Sequence, residues 1–284
     1  MLPLNEAICQ SGNLSSAYAR YQRYRGIWAP GIPMRAVTES PVLPMLKLVE
    51  ELRNGSYRPY RPHTIRIAKA NGELRELSVF AIRDRVAQRA VLQVLQARTE
   101  GNMSPCSYGY RPGHNVAGAV AHVQRFLNTG FSWVVDADIE RCFDSIPRMP
   151  LLDEVARRLD DPTAAEWVAR VLGWGTADLR EGIGIPQGSV LGPWLCNVYL
   201  WQLDDAMREI AMVRFADDFV LLTISRYLAE TLQKYCANIV SNIHLRLHPI
   251  KTTIVDGSIP FRFLGQWLST MSFLPSIPLP VGSQ

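Results

Sequence analysis

Between His63 and Phe80 the chain reads HTIRIAKANGELRELSVF, with apolar and polar residues alternating on both sides of Asn71-Gly72, a pattern that predicts a β-hairpin closed by a tight turn. From Asp84 to Arg98 the period changes. Val86, Ala87, Ala90, Val91, Val94 and Leu95 recur at helical spacing and predict an amphipathic helix. Val116, Val120, Val123 and Leu127 predict a second one, after the turn-rich SPCSYGYRPG of residues 104–113. FSWVVDADIERCFDSI, residues 131–146, opens as an apolar strand that ends in acid, and helices follow around Leu151–Leu159 and Ala164–Leu172. Beyond the glycine-rich GIGIPQGSVLGP (182–193) a helix is expected through Ile210, then a hairpin at VRFADDFVLL (213–222). Leu228, Leu232, Cys236, Ile239 and Ile243 mark another helix, HLRLHP a short strand, and 252–268 a final pair of strands.

Strands separated by helices or tight turns make this an α+β chain, and the run of strand, helices, hairpin, helix and strand is a split-βαβ arrangement. Residues 1–62 carry Pro30, Pro33, Pro41, Pro44, Pro59 and Pro62 among polar helical stretches, and are expected to form an extended basic N-terminal arm. The domain plan is then the arm, fingers at 63–130, a palm at 131–268 that includes the 182–193 loop, and a tail at 269–284.

Composition narrows the class only a little. The 284 residues are 48% hydrophobic and 20% charged, as expected of a globular protein with a sizeable core. A net charge of +4 permits a polyanionic partner without requiring one. The five cysteines are scattered with no CxxC pair, which suggests neither a disulfide framework nor a zinc knuckle and fits a reducing cytoplasm. No leader opens the chain, and no apolar run reaches the roughly 18–20 residues that span a bilayer. The expectation is a cytoplasmic protein with no membrane partner.

Asp217 and Asp218 stand side by side between apolar runs. One Asp suits a turn, but two adjacent carboxylates repel each other unless a cation neutralises them. A further acid should come from a neighbouring strand. If Trp133, Val135 and Ala137 face one way, Asp136 and Asp138 share the other face, and Asp138 is nearer the strand end, while Asp144 caps or orders the next turn. Oxygen-only ligands favour Mg²⁺ over zinc, and two such ions can clamp the oxygens of a phosphoryl transfer. His244 and His248 lie in strand-like alternation and suggest no zinc site. Tyr108, Tyr110 and Arg111, with Arg20, Arg23, Arg25, Arg58 and Arg61, could track a nucleic-acid backbone.

VRFADDFVLL resembles the YADD-type catalytic hairpin of reverse transcriptases, with Phe215 in place of the usual Tyr. ADIERCFDSI is similar to that family's first catalytic motif, and GIPQGSVLGPWLCNVYL to its QGxxxSP motif, with Gly192 where Ser is usual. RELSVFAIRDRVAQRAVLQVL, SYGYRPG, KTTIV and FRFLG follow in the family's order, so the resemblance covers about residues 10–268. It implies right-hand fingers and palm, the palm a ferredoxin-like antiparallel sheet with packed helices, and two Mg²⁺ ions that Mn²⁺ can replace. It also implies metal roles for Asp138, the Ile139 carbonyl and Asp217, with Asp218 as the third acid. Phe143 matches the position that closes on the incoming sugar and excludes a 2′-hydroxyl, and Gln187 and Gly188 match the loop that cradles the nucleotide. Lys69 and Arg75 resemble residues that hold the triphosphate, and Lys251 a lysine near the pyrophosphate leaving group.

The SYGYRPG and RDRVAQRA segments look most like the group II intron class of bacterial enzymes. That class continues past FLG into a thumb and a maturase region, whereas here about sixteen residues remain, so the thumb is expected to be absent, truncated or supplied by an accessory protein or RNA. The function implied is RNA-directed DNA synthesis from an RNA template, a DNA or RNA primer and deoxynucleotides. Diversity-generating retroelement enzymes are a near neighbour, although they end the glycine-loop motif in Ser-Gln and this chain has Pro193. CRISPR-associated and phage-defence roles stay open. So does a catalytically idle RNA-binding scaffold.

Overall fold

A computed structural model describes residues 2–68, 72, 74–180 and 182–270. They divide into two compact units, one of residues 2–104 and 141–202, the other of 105–140 and 203–270.

The first unit is organised around the helix Ile82–Thr99, whose Val86, Ala87, Ala90, Val91 and Leu95 are fully buried. The helices Ser11–Ala19, Arg148–Leu159 and Pro162–Leu172 pack on it. Residues 1–62 are therefore not an extended arm. Their apolar positions Leu4, Ile8, Leu14, Ala17, Leu48 and Leu52 are core, and Asn13 donates to the Ala90 carbonyl at 3.0 Å. The prolines do not break this segment. Pro33 and Pro41 stand at the N-caps of Met34–Glu39 and Val42–Asn54, where a fixed φ does no harm. Two short strands, β1 (Ile27–Ala29) and β2 (Ile32–Pro33), lie between the helices Ser11–Ala19 and Met34–Glu39.

β3 (His63–Ala68) and β4 (Leu74–Val79) form the expected antiparallel hairpin, in register from His63 opposite Val79 to Ala68 opposite Leu74. The hairpin root is fixed by buried polar groups. Asp84 accepts from the Tyr57 hydroxyl at 2.7 Å, the Tyr60 amide at 2.9 Å and Arg83 at 3.0 Å, while Arg83 also pairs with Glu51. Each buried charge thus has several partners, which such burial requires.

The second unit is built on a four-stranded antiparallel sheet of β5 (Trp133–Asp138), β6 (Ala211–Phe215), β7 (Asp218–Thr223) and β8 (Thr253–Asp256), in the order β6-β7-β5-β8. That order is the split-βαβ plan. The helix Val116–Asn128 covers one face, where Ala119, Val123 and Leu127 meet Val134, Val213, Val220 and Leu222. Arg226–Asn242 packs against β5, β7 and β8. Side-chain oxygens of Asn115 and Ser225 cap the two helices at 2.8 and 3.3 Å. The hairpin of β9 (Phe261–Phe263) and β10 (Gln266–Leu268) forms a separate two-stranded sheet.

Three expectations change. HLRLHP is not a strand: it pairs only at the bridge of Leu247 with Ile139, one residue past the end of β5, where no ladder remains. The segment 252–268 holds three strands in place of two. The two compact units do not coincide with the expected blocks 63–130 and 131–268. Residues 141–202 join the first unit because Leu151, Val155, Val168 and Val171 are buried in helices that pack with Ile82–Thr99, and 105–130 join the second because their helix covers its sheet.

If the N-terminal helices are core, Leu14→Ala should cost about 2–5 kcal/mol in urea unfolding, the range for a buried leucine. A change below about 0.5 kcal/mol would return the segment to a loosely attached arm.

Candidate active site

β6 and β7 are joined by two residues, Ala216 and Asp217, so Asp218 is the first residue of β7 and not part of the turn itself. Ala216 has φ 59°, the sign that a two-residue hairpin needs at its first central position. For a residue with a Cβ that conformation is unfavourable by roughly 1–2 kcal/mol, and the surroundings hold it. Arg214 donates to the Ala216 carbonyl at 2.9 Å, and Gly109 lies so close that a Cβ there would stand 2.4 Å from the Ala216 nitrogen. The Ile139 amide donates to the Asp217 carbonyl at 3.3 Å, tying the turn to the end of β5.

Asp138 and Asp218 are directly opposed across the β5 and β7 ladder. Cross-strand partners share a face, so sheet register alone brings the two carboxylates together. Burial, the charges of Asp138 and Asp217 and a hydrogen bond to the Asp138 carboxylate push the Asp218 carboxyl up to about 7, against the opposing pull of Lys251. Burial and the Asp138 charge push Asp136, on the same face two residues earlier, up to about 6. Lys251 supplies the counter-charge, with Nζ 2.9 Å from Asp138 Oδ2. It is presented by a turn in which His248 Nδ1 accepts from the amides of Ile250 and Lys251, and the His248 amide donates to the Asp138 carbonyl at 2.7 Å.

Among the described residues no three His, Cys, Asp or Glu side chains are gathered as ligands of one metal ion. The donor set is nevertheless all oxygen and crowded with negative charge, which suits a hard divalent cation. Asp138 can serve such an ion once Lys251 releases its oxygen.

The other expected residues lie in the first unit. The Gln187 carbonyl accepts from the Ser78 amide at 2.7 Å, fixing the glycine-rich loop to β4. Gly188 has φ 103°, and a Cβ there would stand 2.5 Å from the Ser78 carbonyl oxygen, so glycine is required twice over. Asp144 does not act as a cap. Its carboxylate accepts from the Gln187 side-chain amide at 2.9 Å, because the loop passes beside the short helix Cys142–Ser145. Phe143 is half-buried, and a Cβ at position 192, where the motif usually has Ser, would meet its ring closely at 3.3 Å. Arg75 is exposed on β4 opposite Ile67, and Lys69 lies outside the described residues.

The nucleic-acid set separates by exposure. Tyr110 is exposed and Tyr108 half-buried, its hydroxyl 2.9 Å from His122 Nδ1. Arg111 is buried, with its guanidinium donating to the Ser107 carbonyl at 2.7 Å, so it braces the loop and is no surface cation. Arg58 and Arg61 are exposed, though Arg58 also donates to the Gly55 and Tyr57 carbonyls at 2.9 and 2.8 Å. Arg214 and Asp204 were not expected. The signal was an arginine inside the apolar run MVRFA, since a buried charge demands a partner.

A ferredoxin-like sheet with opposed carboxylates at the end of one strand and beside the turn of the next defines a nucleotide-polymerase palm. The chain belongs to the reverse transcriptase (RNA-dependent DNA polymerase) family, whose model matches residues 67–268. It is 29% identical over 266 residues to protein YkfC of Escherichia coli, covering 78% of this chain and 70% of that protein. It is also 29% identical over 171 residues to the group II intron-encoded protein LtrA of Lactococcus lactis, covering 58% of this chain and 28% of LtrA. Among solved structures, a chain of a partial Cas6-RT-Cas1–Cas2 complex matches with a TM-score of 0.50 and 25% identity, over 84% of this chain and 43% of that one. Telomerase from Candida tropicalis shares the fold, with a TM-score of 0.59 at 14% identity over 75% of this chain and 48% of that one. This chain therefore spans less than a third of LtrA and less than half of either matched structure.

Gly188→Ala, which meets both a positive φ and a backbone oxygen, should lower stability by more than about 1 kcal/mol in chemical denaturation. A neutral or stabilising result would mean that the loop does not rest on β4 as described.

Proposed function

We propose that the chain is an RNA-directed DNA polymerase of group II intron-like lineage, working in the cytoplasm. The observation that carries this reading is the opposition of Asp138 and Asp218 across the sheet, with Asp217 in the adjoining turn and Lys251 as their counter-charge. Asp138, Asp217 and the Ile139 carbonyl would hold divalent cations, Mg²⁺ or Mn²⁺ in its place, and Asp218 completes the acidic cluster. When bound, such ions stabilise the charge that develops as the primer 3′-hydroxyl attacks the α-phosphate of a deoxynucleotide and pyrophosphate leaves.

The protein groups have separate tasks in this reading. Lys251 can give a proton or a positive charge to the departing pyrophosphate. Phe143 closes on the sugar, and the Gln187-Gly188 loop offers backbone to the nucleotide. Lys69 and Arg75 take the triphosphate. Arg58, Arg61, Tyr108 and Tyr110 follow the RNA template and its DNA or RNA primer, by charge and by stacking. Arg111 acts there only by holding its loop. An accessory protein or RNA is a further partner in this reading, and a neighbouring chain of similar fold comes from a partial Cas6-RT-Cas1–Cas2 complex. Among the described residues no helix is long and apolar enough to cross a membrane.

An RT-derived RNA-binding scaffold is the second reading, favoured by the engagement of Asp138 with Lys251. Extension of oligo(dT) on poly(rA) with Mg²⁺ and dTTP separates the two. Asp138→Asn and Asp217→Asn, with unchanged circular dichroism, should each lower extension by roughly two to three orders of magnitude, the several kcal/mol of charge stabilisation that metal ions provide. Near wild-type synthesis in either variant would remove the site. Phe143→Ala should raise ribonucleotide use relative to deoxynucleotide by roughly 10- to 200-fold, the range for a pocket that discriminates by fit. Unchanged sugar selectivity would cancel its assignment as the gate.

A further inference from the structure

Arg214 is the penultimate residue of β6 and is fully buried. Its Nε and Nη2 donate to both oxygens of Asp204 at 2.7 and 2.6 Å, a bidentate fork, and Nη2 also donates to Ser107 Oγ at 2.8 Å. The remaining nitrogen, Nη1, donates to the Ala216 carbonyl at 2.9 Å. The backbone around it is equally fixed. The Arg214 amide donates to the Cys106 carbonyl and its carbonyl accepts from the Tyr108 amide, both at 2.8 Å.

The Ala216 carbonyl belongs to the peptide that enters Asp217, so its orientation sets the direction of the Asp217 side chain. Ala216 also has the left-handed φ of 59°. A buried ion pair is weak support for stability, because apolar residues of similar volume often serve as well. Its worth here is directional, since a guanidinium fork held by Asp204 and Ser107 cannot turn, and its Nη1 then fixes the peptide plane.

We propose that Arg214 is a positioning residue for Asp217: anchored by Asp204 and Ser107, it clamps the peptide before Asp217 and so aims that carboxylate. This role rests on the polymerase reading above. Its test is steady-state extension by the full chain carrying the double substitution Asp204→Leu and Arg214→Met, which removes both charges together, alongside Arg214→Lys, wild type and Asp217→Asn.

The double variant should fold, with kcat reduced roughly 100-fold, as expected of a misaligned catalytic group. KM for dTTP should stay within about twofold, and the Mg²⁺ concentration giving half-maximal rate should rise severalfold, shifts that a merely structural pair would not produce together. Arg214→Lys keeps a charge for Asp204 but lacks the rigid fork, and should show the same split. A folded double variant with wild-type kcat overturns the role. Should the double variant fail to fold, Arg214→Lys decides in the same way, and failure of both to fold would make the pair a stability element and also overturn the role. A wild-type chain inert with both Mg²⁺ and Mn²⁺, indistinguishable from Asp217→Asn, overturns the polymerase reading itself and this role with it.

Discussion

Carboxylates of like charge sit together in a partly buried place only where a cation or a shared proton relieves them, and the second unit is arranged around that requirement. Asp138 and Asp218 face each other by strand register, Asp217 is next to them in the chain, and Asp136 shares their face. The repulsion shows in the protonation of the cluster, where burial and neighbouring charge push Asp218 up to about 7. Lys251 relieves part of it through Asp138. A fold that gains nothing from this crowding would not oppose two acids at one ladder position, where Asp138 is half-buried and Asp218 exposed.

Sheet topology makes the crowding inescapable. With β5 paired to β7 on one side and β8 on the other, the end of β5 must meet the start of β7 and the segment leading into β8. The first contact opposes the two acids. The second brings His248, and through its turn Lys251, to Asp138. Acid and counter-charge are thus consequences of one strand order, although residues 138, 218 and 251 are far apart in the chain.

How much of this was legible depended on the range of the interaction. Periodicity located the hairpin around Asn71-Gly72 and the helices beginning near residues 84, 116 and 228, because those patterns reflect burial on one face. Strand alternation was enough to select Asp138 as the acid at the strand end, and the structure opposes it to Asp218. Proline density misled at residues 1–62, since a proline at a helix start looks in sequence like a proline that breaks one. HLRLHP has strand-like alternation, but an edge to pair with is a property of the sheet and not of the segment. The partnership of Asp144 with Gln187 spans 43 residues and could not be seen locally.

The hairpin of β6 and β7 also shows why its two halves differ in legibility. Asp217 and Asp218 are conspicuous, since adjacent acids between apolar runs break the local pattern. What holds their turn is hidden, because Ala216 looks like any small turn residue until its φ is known. An alanine in the left-handed region is unfavourable by roughly 1–2 kcal/mol, while a hydrogen bond from a charged donor contributes about 1.5–3 kcal/mol. The Arg214 contact to the Ala216 carbonyl is thus sufficient by itself to offset the strain. Glycine at position 216 would remove the strain but widen the conformations open to the turn. Alanine restrained by a buried arginine gives one geometry, and the metal-binding role proposed for the Asp217 carboxylate needs one geometry more than it needs an unstrained turn.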